Sequence, residues 1–420
     1  MLKQRTAMLL ALPLLLPLSA HASNGYFSHG FGTANKGLAG AGVAFPSDAM
    51  GTAINPALMA HVGSRLDLGL AVMSPDRGFT ANTPSSTAAP FIPPGTYESD
   101  NDYFFIPHIG YNRMLDAKSS LGLSIGGNGG MNTEYDSAVF ANFSTGTTSS
   151  PTGIDLAQMF VGLNYAREIF PGQTLGIAPI GAMQWLKVEG LEPFEALSIH
   201  PDNVTNKDYD YSFGGGVRVG WLGEFTDWFS VGASYQSRLW MSKFDKYEGL
   251  LAEEGGFDIP PIIQAGIAIK PLDNLTILFD VQEILFGEVD SLSNSNNMVL
   301  TAGALGGDDG LGFGWVDMTV YKIGVDWKVN EDWELRLGFS TADDVLPSGQ
   351  ALFNILAPAT VTEHLTFGFT ARLSDDSQLN FAYMHAFEEE IHGTNPNTPF
   401  QTGYLEMNQN EIEISWSKRF

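Results

Sequence analysis

The sequence predicts an all-β fold, a 14-stranded antiparallel transmembrane β-barrel whose lumen is plugged by an N-terminal hatch. Three observations lead to this prediction. From Arg65 onward, segments that alternate apolar with polar or small residues recur to the end of the chain. The connections between these segments alternate between tight turns and long polar loops. The residues before Arg65 do not alternate and are rich in glycine.

The composition argues against several classes of protein. The formal net charge of -26 is unsuited to binding nucleic acid, which requires a basic surface. The chain contains no cysteine, so disulfides and thiolate metal sites are excluded. Only 16% of the residues are charged, yet no apolar run after residue 22 approaches the roughly 20 residues that a spanning helix needs. Any membrane spans must therefore be strands.

The first residues have the pattern of a secretory signal peptide. Lys3 and Arg5 precede the apolar stretch from Ala7 to Pro17, and Ala20-His21-Ala22 provides the small residues of a cleavage site. We therefore expect an exported protein of the bacterial cell outer membrane. Its expected parts are a signal peptide at residues 1–22, a hatch at residues 23–64 and a transmembrane barrel at residues 65–420.

The last segment illustrates the alternation. Ile412 and Ile414 share one face, and Glu411 and Glu413 share the other. One face is apolar and the other polar, as expected for a strand between lipid and a polar lumen. About 14 such segments can be counted, and an even number is typical of bacterial outer-membrane barrels. They are centred near Leu70, Ile106, Leu123, Val161, Ala178, Val217, Ala233, Ala268, Phe279, Ile323, Leu337, Phe369, Phe381 and Ile414.

Tight turns at one end and long loops at the other are typical of outer-membrane barrels, whose long loops face outward. A soluble β-sandwich would also have alternating strands. The aromatic strand ends at Trp327, Trp333 and Phe420 instead favour a barrel with aromatic girdles at the membrane interfaces. The tight turns are predicted at Arg113 to Ser119, Phe170 to Gln173, Glu224 to Asp227, Pro271 to Asn274, Val329 to Asp332 and Ser374 to Asp376.

The segment from Ser23 to Ser64 combines glycines with large apolar side chains such as Phe27, Val43 and Leu58. A mobile periplasmic tail is the alternative interpretation. A plug packed inside the lumen is favoured, because the apolar side chains can pack and the glycines allow the backbone to approach its neighbours closely.

Motifs in this segment resemble those of a known family. The run Asn24-Gly25-Tyr26-Phe27-Ser28-His29-Gly30 is followed by Lys36-Gly37, Gly40-Ala41-Gly42, Asp48 and Asn55-Pro56-Ala57. Together they resemble the hatch of the outer-membrane transporter family for long-chain fatty acids and aromatic hydrocarbons (FadL/TodX, OMPP1). The resemblance continues through Ile106-Pro107-His108, Thr133-Glu134-Tyr135, Asp343-Asp344 with Pro347, Tyr383-Met384-His385 and Phe420. It implies uptake of hydrophobic compounds, with Asn24, Gly25, Phe27, Asp48, Asn55, Pro56 and Ala57 as hatch residues.

The resemblance also implies a route. A ligand would bind in an outer groove between extracellular loops, pass to an inner pocket and leave sideways through the wall, at an inward kink in the third strand. Glycines within a strand often mark a bulge or bend. The lateral gate is therefore placed at Gly126, Gly127, Asn128, Gly129 and Gly130. The alternative is that the third strand simply ends there.

Large apolar residues in two long loops are the candidates for the outer groove, since exposed apolar patches favour a binding role. The alternative is that these loops pack on one another as a lid. The candidate groove residues are Leu191, Phe194, Leu197, Leu250, Leu251 and Phe257.

The cargo is the least determined part of the function. Members of the family that carry fatty acids place basic side chains high in the fifth and tenth strands, where this chain has Gly190 and Met318. A long-chain fatty acid remains the leading candidate. The alternative is a neutral or aromatic hydrocarbon taken up by the same route.

Two lysines near these positions are the candidate carboxylate contacts. Lys187 and Lys322 lie close to the missing basic positions in sequence. The alternative is that they pair with acidic residues of the lumen such as Glu189 and Asp326.

Other functions find less support. The ionisable residues from His385 to His392 divide between two strand faces, which disfavours a metal site. An outer-membrane lipid hydrolase is the alternative from another class, but no serine has a recognisable nucleophile setting, so we expect no enzyme. A general diffusion porin would lack a plug. We expect a hydrophobic ligand, contacts with outer-membrane lipid and lipopolysaccharide, no cofactor, and a monomer.

Overall fold

The computed structural model of the protein describes residues 24–86, 90–143, 148–297, 300–397 and 401–420. The predicted signal peptide, residues 1–22, lies outside the described residues, as does Ser23. Within the described ranges, no helix has both the length and the apolar character needed to cross a membrane.

The barrel is an antiparallel sheet that closes on itself. Each barrel strand pairs with the next along the chain, and the last pairs with the first, from Arg65 opposite Arg419 to Ala81 opposite Gly403. All 14 predicted centres lie in these strands, which confirms the predicted fold class. The described barrel strands are β1 (Arg65–Ala81), β2 (Phe104–Asp116), β3 (Ser119–Tyr135), β4 (Thr152–Phe170), β5 (Gln173–Glu189), β6 (Asp210–Thr226), β7 (Phe229–Gln236), β8 (Ile262–Leu272), β9 (Leu275–Ile284), β10 (Met318–Lys328), β11 (Trp333–Ala342), β12 (Glu363–Ser374), β13 (Ser377–Thr394) and β14 (Thr402–Arg419).

Shorter elements accompany the barrel. Two small strands extend its sheet, Gly95–Glu98 beside β1 and Trp240–Met241 beside β6. Three helical turns belong to the N-terminal segment: Thr33–Lys36, Ala49–Ala53 and Pro56–Ala60. Those in the loops are Ala141–Phe143, Glu192–Leu197, Pro201–Asn203, Asp245–Tyr247, Ala252–Gly255, Phe286–Glu288, Asp290–Ser293, Ser348–Gln350 and Ala351–Asn354.

The two faces of the strands differ as the alternation predicts. On β14, Ile412 and Ile414 are 47% and 51% exposed, whereas Glu411 and Glu413 are 4% and 1% exposed. The exposed apolar face is the one that contacts lipid, and the polar face points into the lumen. Because closure pairs the first strand with the last, the sheet presents no unpaired edge to the hydrocarbon.

All six predicted tight turns connect consecutive strands at one end of the barrel, while the connections at the other end are long. This arrangement confirms the predicted alternation of turns and loops. The turns occupy residues 117–118, 171–172, 227–228, 273–274, 329–332 and 375–376.

The N-terminal segment, residues 24–64, lies inside the barrel. Its backbone amides donate to inward-facing side chains: Gly42 and Val43 to Asp280 on β9 at 2.7 and 2.8 Å, and Ala49 to Asp67 on β1 at 2.8 Å. Asn55 donates through Nδ2 to a β6 carbonyl at 2.9 Å. Because these strands stand on different sides of a closed sheet, a segment that contacts all of them fills the lumen. The polar inner face thus satisfies backbone groups that have no regular secondary structure.

One buried ion cluster anchors this segment to the wall. The Lys36 ammonium lies 2.5 Å from a Glu411 oxygen and 2.8 Å from a Glu413 oxygen, and Thr33 donates to Glu413 at 2.7 Å. Burial lowers the pKa of Lys36, but the two carboxylates raise it by more, so its pKa is above the ordinary value and the ammonium stays charged. The lysine therefore compensates two carboxylates that would otherwise repel each other in a dry site.

Replacing Lys36→Met should destabilise the protein by about 3–5 kcal/mol, because it leaves buried carboxylates without a counter-charge. The matched control is Lys118→Met, since Lys118 pairs with Glu168 at 3.1 Å on the exposed turn. Such a surface pair is worth about 0–1 kcal/mol. Urea unfolding in detergent, with limited proteolysis of the N-terminal segment, measures both effects. Equal losses in the two variants would contradict the anchoring role.

Candidate functional site

The third strand leaves its neighbour within the predicted glycine run. Pairing between β2 and β3 stops at His108 opposite Gly126, whereas β3 remains paired with β4 as far as Tyr135. The register with β4 shifts between Gly127 and Gly129, which makes Asn128 the extra residue of a bulge. The strand therefore bends at the glycines and does not end there, so the interpretation as a simple strand end is wrong. The wall is interrupted on the β2 side of the bend.

The bent part of β3 bonds to the N-terminal segment instead of to β2. Ser28 donates its backbone N–H to the Asn128 carbonyl at 2.9 Å, and Gly130 donates to the Tyr26 carbonyl at 3.0 Å. A Cβ atom at Gly129 would overlap the Tyr26 carbonyl oxygen, so only glycine permits this approach. Backbone groups freed by the break in the wall are thus satisfied from inside the barrel.

A cavity of about 390 Å³ lies beside this bend. All five predicted gate residues, Gly126 to Gly130, contribute to its lining. Phe105 and Ile109 of β2 also line it, and they are 68% and 39% exposed on the lipid-facing side. The cavity therefore reaches the outer face of the wall at the break between β2 and β3. Its volume falls in the range of about 300–1,000 Å³ that is usual for small-molecule sites.

The lining is mostly apolar and adaptable. Trp185 of β5 and the buried Trp315 provide flat aromatic surface, and Tyr26 lies 5.9 Å from Trp315 between ring centres. Neither tryptophan belongs to a motif that marks it as a site residue in the sequence. For Trp315, the one local indication is that a large apolar side chain occurs in a loop. Methionine is flexible and polarizable, so it fits ligands of varied shape, and five methionines contribute: Met73, Met131, Met159, Met384 and Met407.

The charged groups of the cavity are already engaged by the protein. The Arg77 guanidinium donates to the backbone carbonyls of Asn101 and Pro75 at 2.9 and 3.1 Å. It also donates to the backbone carbonyl and the side-chain oxygen of Asn132. Glu411, which also lines the cavity, is held by Lys36. Charge is thus present around the cavity, but it is occupied by internal contacts.

Neither predicted lysine lines this cavity. Lys187 pairs with Glu189 at 2.7 Å, in agreement with the alternative interpretation. Lys322 donates to the His29 carbonyl at 3.3 Å, and it does not pair with Asp326, which lies 2.9 Å from Arg336 instead. For Lys322, the alternative therefore does not hold with Asp326; the acidic residue opposite Lys322 is Asp280.

The candidate groove residues are inside the loop layer. Leu191, Phe194, Leu251 and Phe257 are at most 5% exposed, and Leu197 and Leu250 are partly buried against the same core. The ring centres of Phe194 and Phe140 lie 5.0 Å apart. These residues are not the walls of an open groove in this structure. Loop side chains from several connections bury one another here, which is the packing expected of the alternative, a lid.

The seven predicted hatch residues are all buried. Asn55 accepts from the Ala57 amide at 3.0 Å and donates to the Val43 carbonyl at 2.8 Å, while Asp48 accepts from the Met50 amide at 2.9 Å. Asn55 and Asp48 therefore begin helical turns whose first amides would otherwise lack partners. These polar residues shape the segment, and its apolar residues pack within it.

A closed transmembrane barrel with a filled lumen and an apolar cavity open through the wall defines a class of outer-membrane channels for hydrophobic compounds. The chain belongs to the outer membrane protein transport protein family (OMPP1/FadL/TodX), whose profile matches residues 18–411. It is therefore an outer-membrane protein of a family that transports hydrophobic compounds. No curated protein sequence matches it significantly.

Solved structures share this fold. The P. putida toluene transporter TodX superposes with a TM-score of 0.69 at 19% identity, covering 93% of this chain and 99% of that chain. The Ralstonia pickettii toluene transporter TbuX gives 0.65 at 20% identity, with coverage of 93% and 99%. A Pseudomonas aeruginosa FadL homologue gives 0.69 at 15% identity, with coverage of 94% and 100%. At these identities the likeness establishes the fold.

Gly129→Ala should release the N-terminal segment from β3, because the added methyl overlaps the Tyr26 carbonyl. Losing the two backbone hydrogen bonds should cost about 1–3 kcal/mol. Hydrogen exchange at the Ser28 and Gly130 amides measures the loss. In Gly181→Ala, the added Cβ meets only a carbonyl at 4.0 Å, so exchange should not change. Unaltered protection in the Gly129 variant would show that the contact is not close.

Proposed function

We propose that the protein takes up neutral hydrophobic small molecules and releases them sideways through the break between β2 and β3. The observation that carries the proposal is the apolar cavity of about 390 Å³, which touches the N-terminal segment on one side and lipid-facing residues of β2 on the other. It offers a ligand an apolar path from the interior to the membrane without crossing the polar lumen.

The hydrophobic effect favours such a path. Exposing each methylene to water costs about 0.8 kcal/mol, so a hydrocarbon chain would be strongly opposed by a wet channel. The filled lumen provides no wide aqueous channel past the segment of residues 24–64. Entry from outside instead requires the loop core around Phe194 and Phe257 to open transiently, and exit requires only lateral diffusion into the bilayer.

The charges around the cavity favour a neutral cargo. They disfavour the fatty acid, which is the leading candidate from the sequence. A carboxylate entering an apolar site needs a cation or free donors. Most of the Arg77 donors are used by protein oxygens, and Glu411 would repel an anion. The names of the structural relatives, toluene transporters in two cases, point in the same direction. A long-chain fatty acid remains the second candidate through the FadL homologue.

Binding to purified protein separates the two cargoes. Hexadecane and palmitate have chains of the same length, and only palmitate carries a charge. We expect hexadecane and toluene to be retained, and palmitate to bind at least about tenfold more weakly, which corresponds to 1.4 kcal/mol. Equilibrium retention of radiolabelled compounds in detergent provides the measurement. Palmitate binding as tight as that of hexadecane would instead support a fatty-acid carrier.

A reversible crosslink tests the route. An ideal Cβ at Gly127 lies 4.0 Å from the Cβ of Ile106 across the break, within the range of about 3.5–4.5 Å that a disulfide needs. The chain has no cysteine, so Ile106→Cys with Gly127→Cys introduces a single pair. Oxidised protein should lose most of its uptake of toluene in cells, and reduction should restore it.

Two controls accompany the crosslink. Each single cysteine variant should transport toluene under oxidising and reducing conditions alike, because it cannot close the break. Folding is checked by the electrophoretic mobility shift of unheated barrel protein. If the oxidised double variant is folded and transports at the normal rate, the break is not the exit.

A further inference from the structure

A second, much smaller cavity lies on the other side of the same N-terminal residues. Its volume is about 20 Å³, and Phe27, Ser28 and His29 line both cavities. Strands β6, β7 and β10 complete its wall through Arg218, Gln236 and Lys322. Unlike the large cavity, this one is surrounded mainly by polar side chains.

Two buried cations face it. Arg218 and Lys322 are 5% and 6% exposed, and among the described residues they are the charged side chains in its lining. Neither has a carboxylate within 4.0 Å in the described part of the chain. Arg218 donates to the Thr52 carbonyl at 3.1 Å, and Lys322 donates to the His29 carbonyl at 3.3 Å. These carbonyl dipoles compensate only part of two full charges that are buried away from water.

The nearby ionisable groups leave a positive excess. Asp280 lies opposite Lys322 on β9 and attracts it, but it does not line the cavity. Its Oδ2 accepts from Gly42, Val43 and Gln264, and its buried Oδ1 has no hydrogen-bond partner among the described residues. Burial lowers the pKa of His29 to about 3, so this ring adds no charge. Two cations therefore stand against one carboxylate.

The other carboxylates of the region do not remove this excess. Glu411 and Glu413 both pair with Lys36 and exceed its charge by one, but neither lines the small cavity. The two cations that face the small cavity thus share one nearby carboxylate, Asp280, which lies opposite Lys322 and does not line the cavity.

The side-chain amide of Gln236 is a third hydrogen-bond donor at this cavity. The Gln236 side chain is 1% exposed, and its Oε1 accepts from the Arg218 guanidinium. Since arginine has only donors, this contact fixes the orientation of the amide. The Gln236 Nε2 group then has no partner among the described residues. A buried donor without an acceptor is rare in proteins, and this one belongs to a residue that lines the cavity.

We propose that the small cavity is a binding site for one monovalent halide ion, held by Arg218, Lys322 and Gln236. A water-sized particle needs about 10–15 Å³, so the cavity has room for a monatomic ion and excludes a hydrocarbon or a carboxylated chain. A halide accepts hydrogen bonds and offers none, which matches the donor groups of Arg218, Lys322 and Gln236 in the lining. It also neutralises the excess positive charge, which a water molecule cannot do.

The ion would link the N-terminal segment to the wall. Lys322 contacts His29, and Arg218 contacts Thr52, so both cations hold residues of the segment. A ligand that binds only the folded arrangement stabilises it in proportion to its concentration. The site is therefore independent of the cargo proposed above.

Bromide is the probe. When bromide is exchanged for gluconate at constant ionic strength, we expect the free energy of unfolding measured with urea to rise. Above its Kd, the ratio of folded to unfolded protein should rise about tenfold for each tenfold increase in bromide. Crystals soaked in sodium bromide should show an anomalous peak within contact of Arg218, Lys322 and Gln236.

Variants distinguish this site from surface effects. Gln236→Glu places a carboxylate beside Arg218, so the protein should fold and lose the dependence on bromide. Arg218→Gln should lose it as well. The control is Arg238→Gln, because Arg238 already pairs with Asp258 at 2.7 Å and should leave the dependence unchanged. Stability that is independent of bromide, or a cavity with density for water only, would overturn the proposal.

Discussion

The rest of the structure depends on one constraint, the need to satisfy every backbone hydrogen-bonding group at the depth of the membrane. A closed sheet meets this need, as the pairing of β1 with β14 does here. A route out through the wall conflicts with it, because β2 and β3 must separate. The conflict is resolved by the N-terminal segment, since Ser28 and Tyr26 take up the backbone groups of Asn128 and Gly130. The segment and the break in the wall are therefore parts of one arrangement.

A polar lumen makes that arrangement possible. The segment of residues 24–64 bonds to itself in short helical turns, and amides that these bonds leave unpaired find acceptors such as Asp67 and Asp280. Buried charges are expensive unless they are paired, and Lys36 between Glu411 and Glu413 shows how the wall and the segment compensate each other. Where the compensation is incomplete, around Arg218 and Lys322, a bound anion is the natural partner.

The large cavity follows a different rule. Tryptophan and methionine side chains give it an apolar surface, while its charges are held by internal contacts. An apolar site of this kind penalises an uncompensated charge, because a buried carboxylate needs a cation or hydrogen-bond donors. The loop core around Phe194 and Phe257 shields this surface from water.

The barrel could be predicted from the amino-acid sequence, because the face on which a strand residue lies depends only on local alternation. Ile414 and Glu413 illustrate this, and the tight turns follow from short gaps between alternating segments. The bend at Gly126 to Gly130 was also predictable, since glycine there has a local meaning. The burial of Phe194 and Leu251 among the loops, and the contact of Lys322 with His29 rather than Asp326, could not be predicted in this way. Those outcomes depend on contacts between distant residues, as Lys36 and Glu411 show across 375 positions, and closure of the sheet alone brings such partners together.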